Sequence, residues 1–245
     1  MRMRYAALFL ILLLPLFLFM PMLFLSGLFR WERPVYYMGR WVVRVGLKVL
    51  GIRIDVTGQL REDDGEPTIY ISNHVSNLDG PLVFSLFARP VRSIVKQELF
   101  KVPILSTAMR CIRFVAVDRS GSKRGMESIE KAVVRITEHG DSFLVFPEGT
   151  RSRDGRLQRF RRGGFYLAVN SGARIVPVSI DGTFELMPRG SSHIKKGTVS
   201  VCFHDPVPVN GLGEEDVLVL SKKIRDIIQS GLEGRKPVDA GKRNA

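Results

Sequence analysis

Apolar and polar positions along most of this chain fall into short runs with the length and composition of strands: Ile52–Val56, Thr68–Ser72, Val91–Val95, Ile112–Val117, Phe143–Phe146, Ile175–Ile180 and Val199–Phe203. Between several of them the spacing lengthens to that of a helix. From Ser122 to His139 the apolar residues Met126, Ile129, Val133 and Ile136 recur on one face, with Ser122 as an N-cap and Gly140 as a C-terminal stop. A second helical pattern, Glu214–Leu232, carries Val217, Leu218, Leu220, Ile224, Ile227 and Ile228. Strands alternating with helices predict an α/β layered domain. The hairpin-length connection near Asp181 to Lys196 makes its central sheet a mixed one, flanked by helices.

The N-terminus breaks this pattern. From Tyr5 to Phe29 there is no charged residue, a run far longer than the roughly 7–15 apolar residues of a signal-peptide core. A single crossing needs about 20 apolar residues, but Pro15 and Pro21 interrupt the run. Arg2 and Arg4 precede it, and Arg30, Arg33, Arg40 and Arg44 follow it, which places both flanks on the cytoplasmic side. A re-entrant hairpin accounts for this slightly better than a single span. Residues 34–50 continue the anchor as an interfacial helix, with Arg40, Arg44 and Lys48 along one face and Trp41, Val42, Val43 and Leu47 on others. The expected organisation is a membrane anchor and interfacial helix over 1–50, a catalytic domain over 51–210, a C-terminal helix over 211–233 and a polar tail over 234–245.

Composition sharpens the picture. At 245 residues the chain has room for one core without disulfides or metals. Cys111 and Cys202 sit in apolar runs that read as strands, as reduced core residues. A net charge of +13 asks for an anionic partner, nucleic acid or anionic lipid, and the apolar N-terminus favours lipid. No nucleic acid is expected.

Two segments carry candidate chemistry. Thr68–His74 delivers a histidine at a strand end, and Gly80-Pro81 is suited to starting a helix, so His74 and Asp79 flank a turn. On one continuous helix, residues five apart diverge by about 140°. The pair meets only if the turn folds it together; the carboxylate then holds one imidazole nitrogen as donor and leaves the other as a base for a hydroxyl proton. His139, His193 and His204 have Leu144, Thr198 and Val209 at the equivalent spacing and carry no such chemistry. In Phe146-Pro147-Glu148-Gly149-Thr150-Arg151-Ser152 a strand ends in a turn that can offer backbone N–H groups and a guanidinium to an oxyanion. The following Arg153, Arg156, Arg159, Arg161 and Arg162 suit either a solvated loop or anionic headgroups. No Gly-x-Ser-x-Gly elbow, metal-ligand spacing or glycine-rich nucleotide loop occurs.

Asn-His-x4-Asp, followed about 70 residues later by Phe-Pro-Glu-Gly-Thr-Arg-Ser, resembles the glycerolipid acyltransferase family and, within it, the 1-acylglycerol-3-phosphate acyltransferases. Lys96-Gln97-Glu98-Leu99 with Pro103, leading to Val117-Asp118-Arg119, is similar to the family's second block, and Ile175–Ile180 to its fourth. Where many members have glycines between Pro103 and the Asp-Arg pair, this chain has Ser106, Met109 and Cys111, which touches acyl and headgroup preference. The resemblance implies that His74 and Asp79 are catalytic, and that Lys96, Arg119, Glu148, Gly149, Thr150 and Arg151 hold the glycerol phosphate. It implies lysophosphatidic acid as acceptor, acyl-CoA or acyl carrier protein as donor, and no cofactor or metal. It also implies a place at the cytoplasmic face of a membrane, the inner membrane in a bacterium. For the tetrahedral oxyanion, Asn73 or backbone N–H groups of the His74–Gly80 turn are candidates. Two rivals stand beside this: acylation of another lyso-lipid, such as a lyso-ornithine lipid, and a basic peripheral membrane protein without catalysis.

Overall fold

The computed structural model describes residues 21–29, 31–60, 62, 65–118 and 122–234. Seven strands form one sheet: β1 (Ile52–Gly58), β2 (Thr68–Ser72), β3 (Val91–Lys96), β4 (Val115–Val117), β5 (Ser142–Val145), β6 (Arg174–Asp181) and β7 (Gly197–Phe203). Their spatial order is β1-β7-β6-β2-β5-β3-β4. Every neighbouring pair is parallel except β6 and β7, which run antiparallel, so the sheet is mixed, as its connection lengths predict. β2, β5 and β6 are apolar on both faces because helices cover both.

On one face lie α1 (Glu32–Val49) and α2 (Asp79–Leu86); Leu47, Leu82, Val83 and Phe87 pack there against Tyr70, Leu144, Val176 and Val201. The other face carries α4 (Ser122–His139), α5 (Gly163–Ser171) and α7 (Val217–Glu233), whose Ile129, Ile136, Phe165, Leu167, Ile224 and Ile228 close over Ile69, Phe143 and Ile175. The predicted long helix spans the expected residues, and Gly140 ends it at φ +66°. Met126 departs from the stripe and is exposed. The remaining helices are α3 (Pro103–Cys111) and the short α6 (Thr183–Leu186).

Three expectations are corrected. The strand expected from Ile112 begins only at Val115: α3 runs to Cys111, and the chain turns through Arg113 at φ +59°. Cys111 therefore ends a helix, while Cys202 lies in β7; both are free and half-buried. Arg40 does not share the exposed face of α1, because its Nε donates to Ser85 O (3.0 Å). That face instead carries Arg33, Tyr37, Trp41, Arg44 and Lys48.

Most of the apolar N-terminal run lies outside the described residues. Residues 21–29 are helical, and Leu23 packs with Val35, Tyr36 and Ile112. Among the described residues no helix is long and apolar enough to cross a membrane.

Candidate active site

In a parallel sheet the carboxyl ends of the strands share one edge, and the loops leaving that edge are where sites form. The four sequence blocks converge there. β2 and β5 are neighbours in register, Ile71 beside Val145, so the two chains leave the sheet side by side and bring His74 next to the Phe146–Ser152 turn. β3 ends at Lys96 on the same edge, and β4 leads to Arg119, which lies outside the described residues. β6 delivers Gly182 and Thr183.

The turn between β2 and α2 does fold His74 back onto Asp79. His74 Nδ1–H donates to Asp79 Oδ2 (2.8 Å), and the N–H groups of Val75 (2.7 Å) and Ser76 (2.8 Å) donate to the same oxygen. Asp79 Oδ1 accepts the Thr183 hydroxyl (2.6 Å). Asp79 is fully buried, whereas the His74 side chain keeps 23% of its surface exposed. A carboxylate that meets only donors is an acceptor on both oxygens, so Nδ1 of the neutral imidazole carries the hydrogen and Nε2 is left as the basic nitrogen. The ring is also stacked on Phe146, centroids 4.3 Å apart and planes at 26°.

The backbone of His74 is clamped from the turn after β5. Its N–H donates to Glu148 Oε1 (2.7 Å), and its carbonyl accepts from Ser152 N–H (2.9 Å). Glu148 Oε2 accepts from the backbone N–H (3.2 Å) and side-chain amide (2.9 Å) of Gln158. Glu148, expected to hold substrate, is thus buried with both oxygens engaged by protein donors. Burial pushes its carboxyl above the usual value, against the lowering effect of those hydrogen bonds and of His74.

Gly149 adopts φ +72°, and a Cβ there would lie 2.8 Å from Arg161 Nε, so the Arg161 side chain folds over the turn. Thr150 is exposed, and its carbonyl accepts from Gln158 Nε2 (3.0 Å). Arg151 is half-buried, and its carbonyl accepts from Arg189 Nη1 (3.2 Å). Lys96 is about half exposed and pairs with Glu98 (2.9 Å).

Asn73 is committed elsewhere. Its amide donates to Ile180 O and its carbonyl accepts from Ile180 N–H, both at 2.8 Å, stapling the end of β2 to β6. With Val75 and Ser76 N–H given to Asp79, these three suggested oxyanion donors are unavailable to a substrate. Sequence reasoning passed over Thr183 and Gln158, and read Arg161 only as one of a basic run suited to a solvated loop or anionic headgroups.

A buried carboxylate orients a partly exposed imidazole beside a glycine turn that carries arginine, an arrangement able to take a proton from a hydroxyl next to an anion-binding turn. The acyltransferase family model matches residues 53–181, just over half of the chain, and this chain belongs to that family. A 1-acyl-sn-glycerol-3-phosphate acyltransferase of Limnanthes douglasii is 31% identical over 80% of this chain and 69% of its own length. A chloroplastic 1-acyl-sn-glycerol-3-phosphate acyltransferase of Arabidopsis thaliana is 36% identical over 58% of this chain, a match that spans only 39% of that longer protein. The crystal structure of the 1-acyl-sn-glycerophosphate acyltransferase PlsC from Thermotoga maritima superposes with a TM-score of 0.73 at 25% identity, covering 97% of this chain and 100% of that one.

Proposed function

We propose that this chain transfers an acyl group from a thioester to the sn-2 hydroxyl of 1-acyl-sn-glycerol-3-phosphate, making phosphatidic acid. The observation that carries this reading is the His74–Asp79 pair, 2.8 Å apart, at the sheet edge that also bears the Glu148–Arg151 turn. His74 Nε2 takes the hydroxyl proton as the oxygen attacks the thioester carbonyl. A C–O bond forms and the carbonyl electron pair moves onto oxygen. Collapse of this intermediate breaks the C–S bond, and the departing thiolate recovers the proton from the His74 imidazolium. Asp79 orients the ring and stabilises its charged form. No covalent acyl-enzyme is required.

Arg151, with Arg119, Lys96, Gly149 and Thr150, is assigned to the glycerol phosphate, because guanidinium and turn N–H groups suit a phosphate. Glu148 is assigned to holding His74 in place. The donor is acyl-CoA or acyl carrier protein. The reaction is placed at a membrane surface on its cytoplasmic side. Support comes from the exposed Phe24, Leu28 and Phe29, from Tyr37, Trp41, Arg44 and Lys48 along α1, and from the net charge of +13.

The deciding experiment offers the purified protein a panel of lyso-lipid acceptors with labelled acyl groups on CoA and on carrier protein. Label in phosphatidic acid is expected. Preference for an acceptor without a phosphate, such as a lyso-ornithine lipid, would overturn the substrate assignment.

A further inference from the structure

The chain leaving β6 makes a closer approach to the catalytic pair than any feature of its sequence suggests. Gly182 turns at φ +93°, and a Cβ there would lie 2.7 Å from the carbonyl oxygen of Thr198, so both conformation and space restrict this position to glycine. The turn carries Thr183, fully buried, to Asp79, where its hydroxyl donates to Oδ1 at 2.6 Å. The same segment grips the catalytic turn again four residues on. Ser76 Oγ–H donates to Met187 O (2.7 Å), Ser76 and Pro188 form an antiparallel bridge, and Leu78 N–H donates to Ser76 Oγ (3.1 Å).

The two oxygens of Asp79 are held very differently. Oδ2 gathers the imidazole and two backbone N–H groups, all from residues within five positions of Asp79, whereas the Thr183 donor reaches Oδ1 from 104 residues away. Without Thr183, Oδ1 is a buried acceptor that has lost its donor, and only the three hydrogen bonds at Oδ2 resist rotation of the carboxylate about its last torsion. Pivoting moves Oδ2 off the line to Nδ1 and takes the imidazole with it.

We propose that Thr183 is a positioning residue of the reaction: its hydroxyl locks the Asp79 carboxylate with Oδ2 toward His74 and so sets the direction in which Nε2 meets the substrate. The proposal rests on the assignment of His74 and Asp79 as the catalytic pair. Thr183 is fully buried and reaches the pair only through Asp79. It therefore acts on the chemical step and leaves acceptor binding alone, and displacement of a reacting group by about 1 Å costs on the order of 10²-fold in rate.

The test compares Thr183→Val, which keeps the shape and loses the donor, with Thr183→Ser, which keeps the donor, alongside Asp79→Asn. Acyl transfer is measured per folded molecule with 1-acyl-sn-glycerol-3-phosphate and acyl-CoA, and kcat is separated from KM. Thr183→Val is expected to lower kcat by about 10²-fold with KM changed less than about 2-fold, and Thr183→Ser to recover kcat to within about 5-fold of wild type. Three results overturn the proposal: wild-type kcat in Thr183→Val, equal losses in the valine and serine variants, or a loss expressed in KM. Wild-type kcat in Asp79→Asn overturns instead the catalytic reading on which the proposal stands.

Discussion

The two edges of the central sheet both bury carboxylates, and they treat them in opposite ways. At the edge where the parallel strands begin, Arg92 of β3 pairs with Glu32 of α1 and with Asp141 (3.0 Å), just before β5, while Arg135 of α4 closes on Asp141. Each charge there meets its opposite. Burial still raises the Glu32 carboxyl and lowers the Arg92 guanidinium, despite their mutual attraction. At the edge where the strands end, Asp79 is held by backbone N–H groups, a hydroxyl and an imidazole, and Glu148 by backbone N–H groups and an amide. Neither carboxylate meets an arginine or a lysine among these donors. A buried carboxylate cancelled by arginine ties elements together; in the proposed mechanism, one held only by neutral donors beside a histidine stabilises the imidazolium that catalysis creates.

The contrast predicts that the two edges fail differently. Asp79→Asn is expected to lower kcat by about 10³- to 10⁴-fold, because the amide no longer stabilises the imidazolium or enforces the required tautomer. Acyl transfer per folded molecule checks it. Arg92→Ala is expected to cost about 3 kcal/mol of stability, since Glu32 and Asp141 lose their shared cation and keep only Arg113 (3.6 Å) and Arg135 as partners. Urea unfolding measures that loss, and kcat per folded molecule should stay within about 2-fold. Comparable loss of catalysis in both variants would erase the distinction between the edges.

Glu148→Ala sharpens the comparison within the catalytic edge. Releasing the His74 backbone is expected to lower kcat by about 10²-fold, less than Asp79→Asn. Its stability effect depends on pH. Burial holds the folded-state pKa of Glu148 above its ordinary value, so between the unfolded and folded values the native state binds more protons and stability falls as pH rises. The wild type's melting advantage over Glu148→Ala is therefore largest below about pH 4.5 and narrows above it. An advantage that widens with pH would mean that the hydrogen bonds, not burial, dominate this carboxylate.

How much of this was legible in the sequence follows from the reach of each interaction. All seven strands and the helix over Ser122–His139 were readable because their patterns are local, and the pairing of His74 with Asp79 needed only a turn of five residues. Strand order was not readable, since β2 sits between β5 and β6 by packing of residues far apart in sequence. The same distance hid the roles of Asn73 and Thr183. Asn73 meets its partner 107 residues on, and a lone Thr after Asp-Gly announces no chemistry. The misplaced start of β4 has a local cause: Ile112 and Phe114 are apolar enough to read as strand, but they bury beside Val35 and Tyr36 under the end of α3.

The account rests on His74 as the group that takes the hydroxyl proton. The direct measurement is phosphatidic acid formed from labelled acyl-CoA and 1-acyl-sn-glycerol-3-phosphate by His74→Ala, beside wild type, with folding and membrane association of both checked in the same preparation. The account predicts a fall in kcat of at least about 10³-fold with the fold and membrane association intact. Phosphatidic acid made at the wild-type rate by His74→Ala would contradict it.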